Sequence, residues 1–162
     1  MRFEKLSRSH DVAQFDCGND ALNRFLSHFA LASQSANGSQ TYVALDGNEV
    51  IGYYTLVVGE IQFDVASDRM RKGLARRPVP IMILARLGLA SNRQGQGLGP
   101  WLLKDAILRT LMAADIAGIR AMVVHAKNEA AQRFYQRFGF STGLADPLHL
   151  YVLTKDLKAV IQ

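Results

Sequence analysis

The glycine-rich turn Arg93-Gln94-Gly95-Gln96-Gly97-Leu98-Gly99 lies between an apolar run and a helical pattern, and it constrains the chain more than any other segment. Ahead of it, Ile81-Met82-Ile83-Leu84-Ala85, continuing to Leu89, is long and apolar enough for a buried strand. Behind it, Leu103, Ile107 and Leu111 share one helical face, and Pro100 suits a helix's first turn. Glycines without a Cβ let successive backbone N–H groups converge on an anion at a helix N-terminus, and Arg93 can add a positive charge. The junction is therefore a candidate phosphate cradle, with an ordinary tight turn as the plain alternative. A dinucleotide fingerprint needs an acidic residue about 20 residues on, ending a second strand, and here that position falls in or just past a helix. A Walker loop needs Gly-Lys-Ser/Thr, where this chain has Gly99-Pro100-Trp101.

The 162 residues fit one domain, 1–162, with an adequate core. No apolar stretch approaches the roughly 18–20 residues that cross a bilayer, and no apolar segment follows Met1-Arg2-Phe3-Glu4-Lys5 as in a signal peptide. A cytoplasmic protein without a membrane role is expected. The single cysteine, Cys17, excludes an internal disulfide and cannot by itself make a cysteine zinc site; packing is its expected use. His10, His28, His125 and His149 show no metal-ligand spacing, so no metal is expected, although His125 can relay a proton. A net charge of +5 favours polyanions without choosing among them.

Asn19 or Asp20 can cap a helix whose Leu22, Phe25, Leu26 and Phe29 share a face, with Asn37-Gly38 ending it. Two apolar runs, 41–45 and 50–58, flank Asp46-Gly47-Asn48-Glu49 as a hairpin. The most basic segment, Asp68 to Pro78, is a helix fragment or mobile loop. A strand over 121–126, a helix from about Asn128 to Arg137 stopped by Gly139, and a last strand over 148–153 complete an α/β domain with a mixed sheet.

The Arg93-Gln94-Gly95-Gln96-Gly97-Leu98-Gly99 order of the turn resembles the acetyl-coenzyme A loop of the GNAT superfamily of N-acetyltransferases. Downstream, Asn128-Glu129-Ala130-Ala131-Gln132-Arg133-Phe134-Tyr135-Gln136-Arg137-Phe138-Gly139-Phe140 is similar to that superfamily's Asn-x-x-Ala-x-x-Phe-Tyr-x-x-x-Gly-Phe segment. More narrowly, Phe15 to Leu26 and Pro78 to Leu87 resemble the acetyltransferase toxins of bacterial type II toxin–antitoxin pairs. The resemblance covers nearly the whole chain. It implies a single GNAT domain with a central mixed, mostly antiparallel sheet flanked by helices, and transfer of acetyl from acetyl-coenzyme A to the α-amino group of aminoacyl-tRNA. It also implies a homodimer and a ribbon-helix-helix antitoxin.

On this resemblance Leu89, Ala90, Arg93, Gln94, Gly95, Gln96, Gly97, Leu98, Gly99 and Asn128 bind the coenzyme. N–H groups near Gly88 to Ala90 receive the thioester oxygen as it gains charge. Tyr135 is the general acid, a phenol that remains protonated and can donate to the departing thiolate; anchoring its helix is the alternative use. Arg69, Arg71, Lys72, Arg76 and Arg77 either contact tRNA phosphates or are simply solvated, and Arg86 pairs with a buried acid, reaches an edge or binds tRNA. Trp101 is expected to pack. A GNAT enzyme for another amine, and a noncatalytic acetyl-coenzyme A sensor, are the competing functions.

Overall fold

Alternating side chains and turn residues generate six strands: β1 (Arg2–Lys5), β2 (Gln40–Asp46), β3 (Glu49–Ile61), β4 (Val79–Leu89), β5 (Ala121–His125) and β6 (His149–Leu153). The computed structural model, which describes residues 1–161, arranges them as one mixed sheet in sequence order. The helices are α1 (Asp20–Arg24), α2 (Ala30–Ser35), α3 (Asp68–Arg71), α4 (Gly99–Ala114), α5 (Glu129–Arg137) and α6 (Thr154–Val160). The chain divides into two compact units, one made of residues 1–57 with 85–106, the other of 58–84 with 107 onward. No helix among the described residues is long and apolar enough to cross a membrane.

In the first unit, β2 pairs antiparallel with β1 and with β3, across the hairpin the sequence predicts. Its turn uses Gly47 at φ 60°, a conformation that glycine adopts without a Cβ penalty. Asn19 caps α1 by accepting from the Leu22 N–H. A π-helical turn over Phe25–Phe29 then separates α1 from α2. That wider turn inserts about one residue into the helical period. Leu26 is accordingly buried, whereas Phe29, expected on the same face, is 52% exposed and Ala30 packs inward instead. Tyr53, Val43, Val50, Phe15 and Leu26 form the core of this unit, with Leu22 and Phe25 against its side.

In the second unit, β5 pairs parallel with β4 over Ile81–Leu84 and antiparallel with β6. Met70, Val79, Ile81, Val123, Tyr151 and Leu153 build its core. Two elements exceed the sequence reading. β1 is only four residues long and depends on β2 for its ladder; α6 has no side-chain cap and is held by its buried Leu157.

Arg120, just before β5, fastens the basic segment to this unit. Its guanidinium donates to the carbonyls of Met70 (2.8 Å), Lys72 (2.7 Å) and Arg69 (3.2 Å), collecting the C-terminal carbonyls of the short α3. Arg120→Ala is expected to destabilise the protein by about 2 kcal/mol in urea unfolding, the scale of lost charge-assisted hydrogen bonds. Arg120→Lys should recover little, because an ammonium lacks the planar fork that reaches three carbonyls.

Candidate functional site

After β4, a 3₁₀ turn over Ser91–Arg93 leads to the glycine turn, and α4 begins at Gly99. Gly95 and Gly97 adopt φ 78° and 76°, with no atom within 4 Å of where a Cβ would stand. These glycines are therefore required by backbone conformation rather than by crowding. The N–H groups of residues 95–99 donate to no acceptor among the described residues. Successive uncommitted N–H donors at the start of a 16-residue helix are the arrangement that suits an anion.

The polar side chains of the turn face the protein. Arg93, whose side chain is 25% exposed, pairs with Asp46 at 2.8 Å and Glu49 at 3.2 Å, on either side of the β2–β3 hairpin turn. These carboxylates hold its guanidinium protonated even more firmly than usual. Gln94 donates from Nε2 to the carbonyls of Cys17 (3.1 Å) and Leu89 (2.9 Å), and Gln96 donates to Asn92 O. Arg93 thus spends its charge on two acids, contrary to its expected availability to phosphate. The side chains brace the turn, and the backbone is what it presents outward.

The strand entering the turn supplies another donor. Ala90 N–H is committed to Ile51 O at 2.8 Å, so it does not serve the expected role of stabilising an oxyanion. Because successive peptide groups of a strand point to opposite edges, the Leu89 N–H lies on the edge away from β3. Pairing of β4 with β5 covers only Ile81–Leu84, which leaves that edge unpaired with β5 at Leu89. Gln94 takes the Leu89 carbonyl, and the Leu89 N–H on the same edge has no β5 partner.

In the second unit, Asn128 caps α5 by accepting from the Ala131 N–H at 2.9 Å. Its side-chain oxygen therefore has a structural use. Tyr135 is 8% exposed, with its ring edge-on to Phe134 (5.2 Å between centroids) and Phe140 (5.6 Å). Its hydroxyl makes no hydrogen bond among the described residues. Burial pushes its pKa up to about 12. The aromatic anchoring foreseen as an alternative is present, and the ring is held with its hydroxyl uncommitted.

Three of the five basic-segment residues are paired: Arg69 with Asp156, Arg71 with Asp68, and Arg76 with Asp64. Arg71 and Arg76 also lie over the Phe63 ring. Lys72 and Arg77 form no ion pair among the described residues. Arg86 stacks on Phe25, its guanidinium carbon 3.6 Å from the ring centroid, in place of the buried acid considered from sequence. Cys17 packs beside the first core as expected, whereas Trp101 is 53% exposed and lies near Lys104 rather than in a core. The structure also brings His125 and His149 together with Asp146, a proximity made by the β5–β6 register and not by spacing along the sequence.

A mixed sheet with uncommitted backbone donors between strand and helix is a scaffold suited to a phosphate-bearing cosubstrate. Residues 37–142 match the acetyltransferase (GNAT) domain model, and the chain belongs to the GNAT acetyltransferase family. It is 40% identical over 157 residues to the tRNA-acetylating toxin of Mycobacterium tuberculosis strain H37Rv, covering 97% of this chain and 94% of that one. Among solved structures it is similar to AtaT complexed with acetyl-methionyl-tRNAfMet, with TM-score 0.88, 27% identity and 99% of each chain covered. It is also similar to a mutant AtaT toxin bound to the C-terminus of the antitoxin AtaR and acetyl-CoA, with TM-score 0.81, 27% identity, and 99% and 98% of the two chains covered.

If the Arg93 ion pairs brace the turn, removing the carboxylates should harm ligand binding. The double variant Asp46→Asn, Glu49→Gln is expected to bind acetyl-coenzyme A about tenfold more weakly by calorimetry, a change of about 1.4 kcal/mol. Tighter binding would mean that the liberated Arg93 serves phosphate directly.

Proposed function

We propose that this protein is a toxin acetyltransferase that moves the acetyl group of acetyl-coenzyme A to the α-amino group of aminoacyl-tRNA, and so blocks translation. The observation that carries this reading is the run of N–H donors over residues 95–99, on a chain 40% identical along nearly its whole length to a tRNA-acetylating toxin. The coenzyme's pyrophosphate occupies that run. Arg93, Gln94 and Gln96 act by holding the run open, and Asn128 acts by capping α5.

The thioester is already reactive, so the protein must position it, accept charge and return a proton. The neutral amine attacks the acetyl carbonyl, and the Leu89 N–H receives the oxygen as it gains negative charge. The carbon–sulfur bond then breaks, with Tyr135 donating to the departing sulfur as the nitrogen loses its proton. A phenol near pKa 12 stays protonated at neutral pH, but it exceeds a thiol near 8.5 by about 3.5 units, roughly 5 kcal/mol of unfavourable transfer. Donation concerted with bond cleavage avoids a free phenolate, and the acceptor nitrogen supplies the proton that restores Tyr135. An α-amine, with a reference pKa of about 8, has an appreciable neutral fraction near pH 7 without a dedicated base.

Lys72 and Arg77 are the basic-segment residues best placed by their lack of acidic partners to meet tRNA phosphates. Arg69, Arg71, Arg76 and Arg86 take supporting roles through their ion pairs and ring contacts. The chain acts as one domain over 1–162, since β3, β4 and α4 each run through both compact units. A cytoplasmic location, a homodimer and a ribbon-helix-helix antitoxin complete the proposal; the AtaT complexes with AtaR support the antitoxin.

Labelled acetyl from acetyl-coenzyme A is expected on charged tRNA and not on uncharged tRNA. Tyr135→Phe should slow that transfer by about 100-fold or more while changing coenzyme affinity less than about twofold. Label only on other amines would overturn the substrate, and unchanged turnover would overturn the acid. Lys72→Glu with Arg77→Glu should lower the slope of log affinity for tRNA against log salt by about 1–2, the value for one or two lost phosphate contacts.

A further inference from the structure

His125 and His149 are direct partners across the antiparallel β5–β6 pair. Ala126 N–H donates to Leu148 O at 2.8 Å, so the neighbouring histidine pair falls at a non-hydrogen-bonded position, where facing side chains approach most closely. Their ring centroids are 4.1 Å apart and the rings are perpendicular. Strand alternation places both on the face that buries Val123 and Tyr151, at the margin of that core.

Asp146 joins them from the loop ahead of β6. Its Oδ1 accepts from the Leu148 N–H at 2.8 Å, and its carbonyl accepts from the His149 N–H at 3.0 Å, which fixes the carboxylate beside the strand. Its Oδ2 lies 3.8 Å from His125 Nε2. One ligand atom from each residue falls within 4.8 Å of the others. Tetrahedral zinc with metal–ligand bonds of about 2.1 Å needs ligands about 3.4 Å apart, a closure small enough for side-chain rotation. The His125 and Asp146 side chains are 61% and 45% exposed, so both have room to rotate and an ion can reach them from solvent.

We propose that His125, Asp146 and His149 form a binding site for a divalent transition-metal ion of the zinc class, separate from acetyl transfer, with water completing the coordination. Two imidazoles and one carboxylate suit a borderline cation, whereas magnesium prefers an all-oxygen shell. The ion clips the end of β5 to β6. From that end the chain passes through Ala126 and Lys127 to Asn128, the cap of the helix carrying Tyr135. The site therefore tightens a structural junction; it supplies no group to the reaction.

The test is zinc titration of tag-free, chelator-treated full-length protein by calorimetry, with magnesium as a parallel probe. One zinc ion is expected to bind per chain with micromolar affinity, while magnesium gives no saturable signal. His125→Asn and His149→Asn should each weaken zinc binding about 100-fold, Asp146→Asn about tenfold, and His10→Ala with His28→Ala not at all. Zinc at 100 times its Kd should raise Tm by about 5–10 °C in the original protein. That rise should disappear in His125→Asn, whose exposed site makes its metal-free Tm a check on folding. Absence of saturable zinc binding, equal binding of magnesium, or retention of affinity and the Tm rise in folded His125→Asn would overturn the proposal.

Discussion

The glycine turn depends on side chains that hold its backbone open. An anion cradle made of N–H groups needs consecutive donors that no carbonyl captures, and a free loop would readily collapse onto itself. Here Arg93 reaches two acids flanking the β2–β3 hairpin turn, while Gln94 and Gln96 occupy nearby carbonyls. With those interactions in place, Gly95 and Gly97 can keep positive φ and leave the backbone donors outward. The motif's charged and amide side chains are thus engaged in bracing the turn, and its backbone N–H groups are what stay uncommitted.

The same division of labour extends into β4. At Ala90 the backbone completes sheet pairing with Ile51; one residue earlier, alternation turns the peptide to the other edge. A strand can therefore stabilise the fold and leave an N–H donor without a β5 partner within two residues. On α5, burial holds the Tyr135 ring between aromatic neighbours without engaging its hydroxyl. Desolvation keeps that phenol neutral and also makes complete proton loss expensive, so the proposed acid role calls for donation coupled to departure of the sulfur.

Local patterns made most elements legible. The β2–β3 hairpin, β4, α4, β5, α5 and β6 follow from turn residues and apolar periodicity, and the GNAT assignment from two motifs in order. Phe29 shows where periodicity failed: the π turn changed the helical phase, and no composition signal marks that extra residue. Arg93 was legible as a cation near phosphate-binding backbone, but its two acidic partners lie 47 and 44 positions earlier in the chain. The approach of His125 to His149 was equally hidden, since β5–β6 register rather than sequence spacing brings them together.

By itself, the sequence determined where backbone freedom and donor chemistry would occur: glycines at 95, 97 and 99, a tyrosine in a capped helix, and an excess of basic charge. Tertiary structure decided which of those groups remain available. It paired Arg69, Arg71 and Arg76 with acids, committed Ala90 N–H to the sheet, and left the Leu89 N–H without a β5 partner and the Tyr135 hydroxyl without a hydrogen bond among the described residues. The physical reason is that residue type sets what a group can donate or accept, whereas partners distant in sequence determine whether that capacity has already been used.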